Sequence, residues 1–227
     1  MCGRYTLHHS KREIEKRFNV PESLSFEDIS ERYNIAPSQL VPVIIPQLDG
    51  DRAVLNMKWG LVPSWAKDPT IGNRMINAKA ETLSEKPSFR DAFRQRRCLI
   101  PADGFYEWRK EGKIKQPLYI RRKDKGLFAF AGLFEHPHSP AESLIGTCTI
   151  ITTEPNELLS TIHHRMAVIL TPEDESVWLD PKSSTSTAQK CLRPYPLDDL
   201  EAIPVSRAVN SPSVEGVSCI EPMSAET

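Results

Sequence analysis

A chain of 227 residues with 39% hydrophobic and 26% charged residues can bury one substantial core without a metal or disulfide staple, which excludes a disordered or low-complexity polypeptide. The net charge of -1 conceals a segregation: residues 86–125 hold 13 Lys and Arg against 5 Asp and Glu, a net +8 that leaves -9 for the rest. The longest apolar run, 127–134, is far too short to span a bilayer, and the opening MCGRYTLHH has no signal-peptide stretch, so a cytoplasmic protein is expected.

In chain order, residues 2–7 have β-type composition and predict a strand. Ser10-x-x-Glu13 then forms a capping box that opens a short helix through Phe18. Proline-bearing loops around Pro21 and over 32–37 lead to strands at 41–45 and 53–59, joined at Asp49-Gly50 into an antiparallel hairpin. Phe89 and Phe93, four apart with Arg90 and Arg94 beside them, predict a short amphipathic helix over 88–94 with a basic side. Strands follow at 98–102, 104–109, 117–121, 127–133, 144–152 and 166–170, and their short connections imply antiparallel pairing. Pro155 predicts the first turn of a helix running to Ile162, and Thr171-Pro172 repeats that grammar before Trp178. The expected fold is α+β: a single domain over 1–223 whose curved antiparallel sheets form a barrel-like core flanked by short helices, with 224–227 a frayed tail.

Five widely spaced cysteines without a C-x-x-C pair predict reduced thiols, and the six histidines show no spacing that supplies three or four metal ligands. No metal and no cofactor are expected. The basic segment reads either as a solvated hairpin and helix face or as a phosphate-binding surface.

Cys2 precedes Gly3, and initiator Met is generally removed before a small residue, so Cys2 becomes the N-terminus. An α-amine, with a pKa of about 7.7–8.0, has a neutral fraction able to attack a carbonyl at physiological pH. The neighbouring thiol then adds to the imine carbon and closes a thiazolidine, which serine or an internal cysteine cannot do. The alternative is that Cys2 merely opens a strand. Glu107, in Gly104-Phe-Tyr-Glu-Trp108, shares a strand face with Phe105, with Tyr106 and Trp108 on the other. Partial burial there suits it to trading protons near neutrality; an exposed edge position is the plainer alternative. His163 and His164 stand where a helix gives way to an apolar strand, fit either for moving protons or for a plain helix C-terminal charge. Asn77 and Lys79 offer an amide and a cation two positions apart. In WGLVPSWA, Trp59 suits the core and Trp65 suits base stacking from the surface.

MCGRYT, RYNIAPSQ at 32–39, WGLVPSWA at 59–66, NAKAET at 77–82, CLIPADGFYEW at 98–108, IHHRMAVIL at 162–170 and PVSRAVN at 204–210 together resemble the SRAP family, named for an SOS response-associated peptidase and comprising abasic-site sensors. The order and spacing match nearly end to end. The resemblance implies that Cys2 forms a thiazolidine with the ring-opened deoxyribose of an abasic site in single-stranded DNA or at a single/double-strand junction. It implies that Asn77 positions the nucleotide and that Glu107 and His163 handle protons. It further implies that Arg4 contacts a flanking phosphate. With Trp65, Lys79 and Lys86 it makes up the expected DNA contacts. The family commonly has Arg where Lys79 stands, and Asp and Pro where His164 and Ala167 stand. A monomer is expected, nucleoid-associated when bound to DNA, with DNA lyase and autoproteolytic or peptidase activities as further expectations. The competing readings are an N-terminal-nucleophile cysteine peptidase or amidohydrolase, which would turn over amides without DNA, and a non-catalytic single-strand binder, whose association salt would abolish.

Overall fold

The computed structural model describes residues 2–24, 30–47, 50–137 and 145–223. Its first half runs β1 (Tyr5–Leu7), α1 (Lys11–Phe18), β2 (Arg32–Ile35), β3 (Leu40–Pro46), β4 (Arg52–Trp59), β5 (Asn77–Lys79), α2 (Arg90–Gln95), β6 (Arg97–Ala102), β7 (Gly104–Glu111) and β8 (Ile114–Arg122). The second half adds β9 (Phe128–Glu135), β10 (Thr147–Thr153), α3 (Glu157–Ser160), β11 (Met166–Ala167), β12 (Ile169–Leu170), α4 (Pro172–Leu179), α5 (Thr185–Lys190) and β13 (Leu200–Pro204).

Two sheets make the domain. One has the order β13-β8-β7-β1-β2; the other runs β11-β10-β4-β3-β6-β9-β12, with β5 on β10. Because β9 also pairs with β10, the strands β10, β4, β3, β6 and β9 close into a ring within the larger sheet. The α+β, barrel-like expectation therefore holds in outline, as a ring of strands and not a strict barrel. Antiparallel pairing throughout does not hold: β10 runs parallel to both β4 and β5. Those partners lie far apart in the chain, so the long crossover that parallel strands require is present.

Local grammar succeeds where its donors and acceptors are close in sequence. Ser10 and Glu13 exchange both bonds of the capping box, and Asn19 ends α1 in the left-handed region at φ 54°. Thr171 caps α4 with Pro172 in its first turn. The β3–β4 hairpin pairs residue for residue from Leu40↔Lys58 to Pro46↔Arg52; Gly50 turns there at φ +92°, while Asp49 lies outside the described residues.

Elsewhere distant partners overrule it. Residues 32–35, read as loop, form β2 because Ile35 reaches the main core while buried Asn34 donates to the carbonyls of Val209, Ser211 and Val214. The helix expected from Pro155 starts at Glu157, capped by Asn156, and ends at Ser160. The strand expected over 166–170 is split at Val168, its halves pairing with β10 and β9 in turn. Strand β1 begins at Tyr5, three residues later than expected.

The five-stranded sheet separates two apolar clusters by the period of two of its strands. Phe105, Leu118 and Ile120 face the main core, where Tyr5 meets Trp59 edge-on at 5.4 Å and Phe130 at 5.9 Å. Tyr106 and Tyr119 face the other way, against Tyr33, Val205, Val209 and Cys219. On the far side of the ring, the buried Arg97 guanidinium donates to the carbonyls of Trp178, Phe93, Arg94, Asp180 and Ser183, joining the ends of α2 and α4. A lysine cannot reach all five. Arg97→Lys should cost about 2–4 kcal/mol in urea unfolding, from carbonyls left unpaired.

Candidate active site

Strand β1 is inserted between β2 and β7, and this insertion places the N-terminus. Tyr5 pairs with Phe105 and Thr6 with Gly104, and the Tyr106 amide donates to the Arg4 carbonyl at 3.0 Å. Continuing that register lays residues 2 and 3 beside Trp108 and Glu107. Gly104 leaves room for Tyr119 of β8: a Cβ there would stand 2.2 Å from that ring. Gly104→Ala should therefore destabilise the fold by about 1–3 kcal/mol, read as a lowered thermal midpoint, because a buried ring would have to move.

Cys2 is fully buried. Its carbonyl accepts a hydrogen bond from Asn77 Nδ2 at 2.8 Å, so the amide on β5 holds the start of β1. Asn77 Oδ1 is buried with no hydrogen-bond partner among the described residues. Burial, and then the neighbouring Glu107 carboxylate, push the Cys2 thiol far above its ordinary range. Glu107 is 2% exposed, and the same desolvation raises its pKa, against a lowering contribution from a hydrogen bond with the Trp108 backbone. The thiol is thus held protonated beside a carboxyl group whose own pKa burial also raises.

His163 follows α3. Its Nδ1 accepts from the Arg165 amide at 3.0 Å and lies 3.2 Å from the carbonyl of the same residue. A neutral ring can use the amide and a protonated ring the carbonyl, so one residue serves both states. Burial lowers the His163 pKa and favours the neutral ring. The His164 ring stacks on it at 4.3 Å, and that neighbour is the main cause of the lowered pKa of His164. Arg165 anchors the turn, donating to both oxygens of Glu81 at 2.7 and 2.9 Å and to the Thr152 carbonyl at 2.6 Å.

Glu107 and His163 line one cleft of about 690 Å³ with Trp108, Lys110, Lys115 and Asn210. Glu107 and His163 thus share the cleft, Asn77 and Cys2 share a hydrogen bond, and the proximity of Cys2 to Glu107 joins the two pairs. Sequence reasoning singled out neither Lys110 nor Lys115, although the +8 segment contains both, and they face each other across the β7–β8 hairpin. It also passed over Asn210, whose Oδ1 accepts from Trp108 Nε1 at 2.7 Å. A second cavity, about 430 Å³ between Trp59 and Asn73, contains none of these groups.

The expected DNA contacts are dispersed. Arg4 donates to Asn34 Oδ1 and to the Val209 and Asn210 carbonyls, which leaves it half-buried and engaged within the protein. Trp65 is 56% exposed and donates to the Pro87 carbonyl at 3.4 Å, next to exposed Lys86. Lys79 is exposed and contributes to the electrostatic field at His164 and Glu81. Much of the basic segment is structural: Arg96, Arg109, Arg121 and Arg122 pair with Glu135, Glu111, Glu201 and Asp124, and Arg97 binds carbonyls.

A family model described as SOS response associated peptidase (SRAP) matches residues 1–212. The chain belongs to the SRAP family. Similar proteins include the abasic site processing protein YoqW of Bacillus subtilis, 49% identical over 97% of this chain and 99% of that protein. The abasic site processing protein HMCES of Gallus gallus is 34% identical over 93% of this chain and 72% of that protein. Among solved structures, a protein from Bacteroides thetaiotaomicron superposes with a TM-score of 0.85 at 29% identity, covering 98% of this chain and 100% of that one. Among the described residues of this SRAP chain, no helix is long and apolar enough to cross a membrane.

Proposed function

We propose that this SRAP protein processes abasic sites in DNA and, once Met1 is removed, bonds covalently through Cys2 to the ring-opened deoxyribose in single-stranded DNA. The observation that carries the reading is the placement of Cys2 against Glu107, with Asn77 on its carbonyl and His163 in the same cleft. The names of the relatives point to the same lesion.

The Cys2 amine adds to the C1′ aldehyde, and loss of one water gives an imine. Protonated Glu107 supplies the proton that lets hydroxide leave as water. The nitrogen keeps its own proton as the water leaves; sulfur then bonds to C1′ while the C=N electron pair returns to nitrogen, and the thiol proton goes to the Glu107 carboxylate, restoring the acid. The product is a thiazolidine. A thiol held protonated by burial needs such a partner, since little thiolate is present to attack unaided. His163, with Nε2–H toward the sugar, stabilises the ring oxygen as the hemiacetal opens. Asn77 Oδ1 accepts from a sugar hydroxyl. Lys110 and Lys115 receive phosphates, Trp108 stacks on a base, and Trp65, Lys79 and Lys86 extend the contact along the strand, with Arg4 bracing the terminus beside a phosphate.

Intact mass tests this. Met1-free protein incubated with a single-stranded oligonucleotide bearing one abasic site should gain the strand's mass less one water, in a species that survives heat and detergent. Undamaged DNA should give no such species. No mass gain across neutral pH would remove the proposal, as would equal reaction by protein that keeps Met1, whose Cys2 nitrogen is an amide and cannot form an imine.

A further inference from the structure

At the end of β1 away from Cys2, two consecutive histidines present ring nitrogens to one buried carboxylate. In a straight strand they would point to opposite faces. Here the chain bends at His9, and the two imidazoles stack at 5.4 Å and 25°. His9 Nδ1 lies 3.0 Å from Asp103 Oδ2, and His8 Nε2 lies 3.5 Å from Asp103 Oδ1. Tyr33 covers the other face of His8, nearly parallel at 6° and 5.0 Å. Asp103, 1% exposed at its side chain, sits in the corner between β6 and β7 and accepts from the Thr6 hydroxyl and from the His8 amide at 2.6 Å. One ligand atom from each of the three side chains falls within 4.8 Å of the others.

We propose that His8, His9 and Asp103 form a binding site for a divalent transition-metal ion of the zinc class, with the fourth position open to water. Two imidazole nitrogens and a carboxylate oxygen are the donors such ions take, whereas the hard cations prefer oxygen alone. Bonds of about 2.0–2.1 Å in a tetrahedral site set ligand atoms about 3.3 Å apart. His9 Nδ1 and His8 Nε2 lie 3.0 and 3.5 Å from Oδ2 and Oδ1 of the one carboxylate, each close to that edge length though on separate oxygens. Binding replaces the proton between His9 and Asp103 by the ion and releases it to solvent. The Thr6 hydroxyl and the His8 amide then hold the carboxylate as outer partners, as ligating carboxylates require. The side chains of His8 and His9, 27% and 20% exposed, leave a path for entry. The ion would tie the end of β1 to the β6–β7 corner, six residues of extended chain, about 20 Å, from Cys2. It therefore stabilises the strand that presents Cys2 without taking part in its chemistry.

The test uses the full chain carrying Cys2→Ala, because a terminal aminothiol is itself a chelator. Titration with Co²⁺, followed by visible absorption, and with Zn²⁺, followed by calorimetry, should show one ion per chain. X-ray absorption should show nitrogen and oxygen neighbours only. Adding His8→Ala or His9→Ala should weaken binding by more than about 10-fold; adding His136→Ala, an exposed histidine elsewhere, should not. Zn²⁺ should raise the thermal midpoint of the parent and leave that of the His9→Ala chain unmoved. His9→Gln keeps a hydrogen-bond donor to Asp103, so the fold is retained, and should lose the ion equally. Absence of binding up to millimolar ion, or undiminished affinity in the His8 and His9 variants, overturns the site.

Discussion

Cys2→Ala is expected to abolish the heat-stable DNA adduct, lowering its yield by at least about a thousandfold in a denaturing gel, while an adduct trapped by borohydride persists. Alanine also permits removal of Met1, so the amine still forms an imine, and an imine reverts once the sample is heated. Only the sulfur that closes the ring is lost. Cys2→Ser should behave similarly, because an oxazolidine reopens more readily than a thiazolidine. The fold should survive: Cys2 is fully buried, yet one sulfur in a core of this size is worth about 1–2 kcal/mol. A heat-stable band from Cys2→Ala without reductant would show that the bond is made elsewhere.

Glu107→Gln should slow crosslinking by about 10²–10⁴-fold in single-turnover kinetics, the usual worth of a positioned proton carrier, with little change in DNA affinity. It carries a second signature in stability. Burial raises the folded pKa of Glu107 above its ordinary value of 4.5, so the native state holds a proton that the unfolded chain releases. Stability therefore falls as pH rises from about 4.5 to the raised folded value, and levels off above it. Glutamine does not titrate. The thermal midpoint of Glu107→Gln relative to the parent should rise across that window and then stay constant. A loss of crosslinking without that pH-dependent rise in relative midpoint would mean that Glu107 acts through the fold and not through protons.

The legible parts of the fold were those whose stabilising partners are near in sequence. The capping box of α1, the Thr171 cap of α4 and the β3–β4 hairpin close over a few residues, and the alternation of Phe105 with Tyr106 sorts them to opposite faces of one strand. β5 and β2 were not legible. β5 is three residues long and exists because β10, more than seventy residues later, offers a parallel edge. β2 is tied to carbonyls of residues 209–214, and the prolines nearby spoke for a loop. β13 likewise forms only against β8.

The same division runs through the candidate site. The amine and thiol that loss of Met1 would bring together on Cys2 are a matter of covalent structure, legible in the sequence alone, as was the order of motifs that marks the SRAP family. Bond chemistry travels with the residue. What the residue can do in place depends on distance and dielectric, and these came only with tertiary structure. Burial raised the Cys2 thiol and the Glu107 carboxyl together, Asn77 was brought to the Cys2 carbonyl across 75 residues, and Asp103 met His8 and His9 across more than ninety. Histidine spacing along the chain gave no hint of that last cluster, because its third member is supplied by a strand corner.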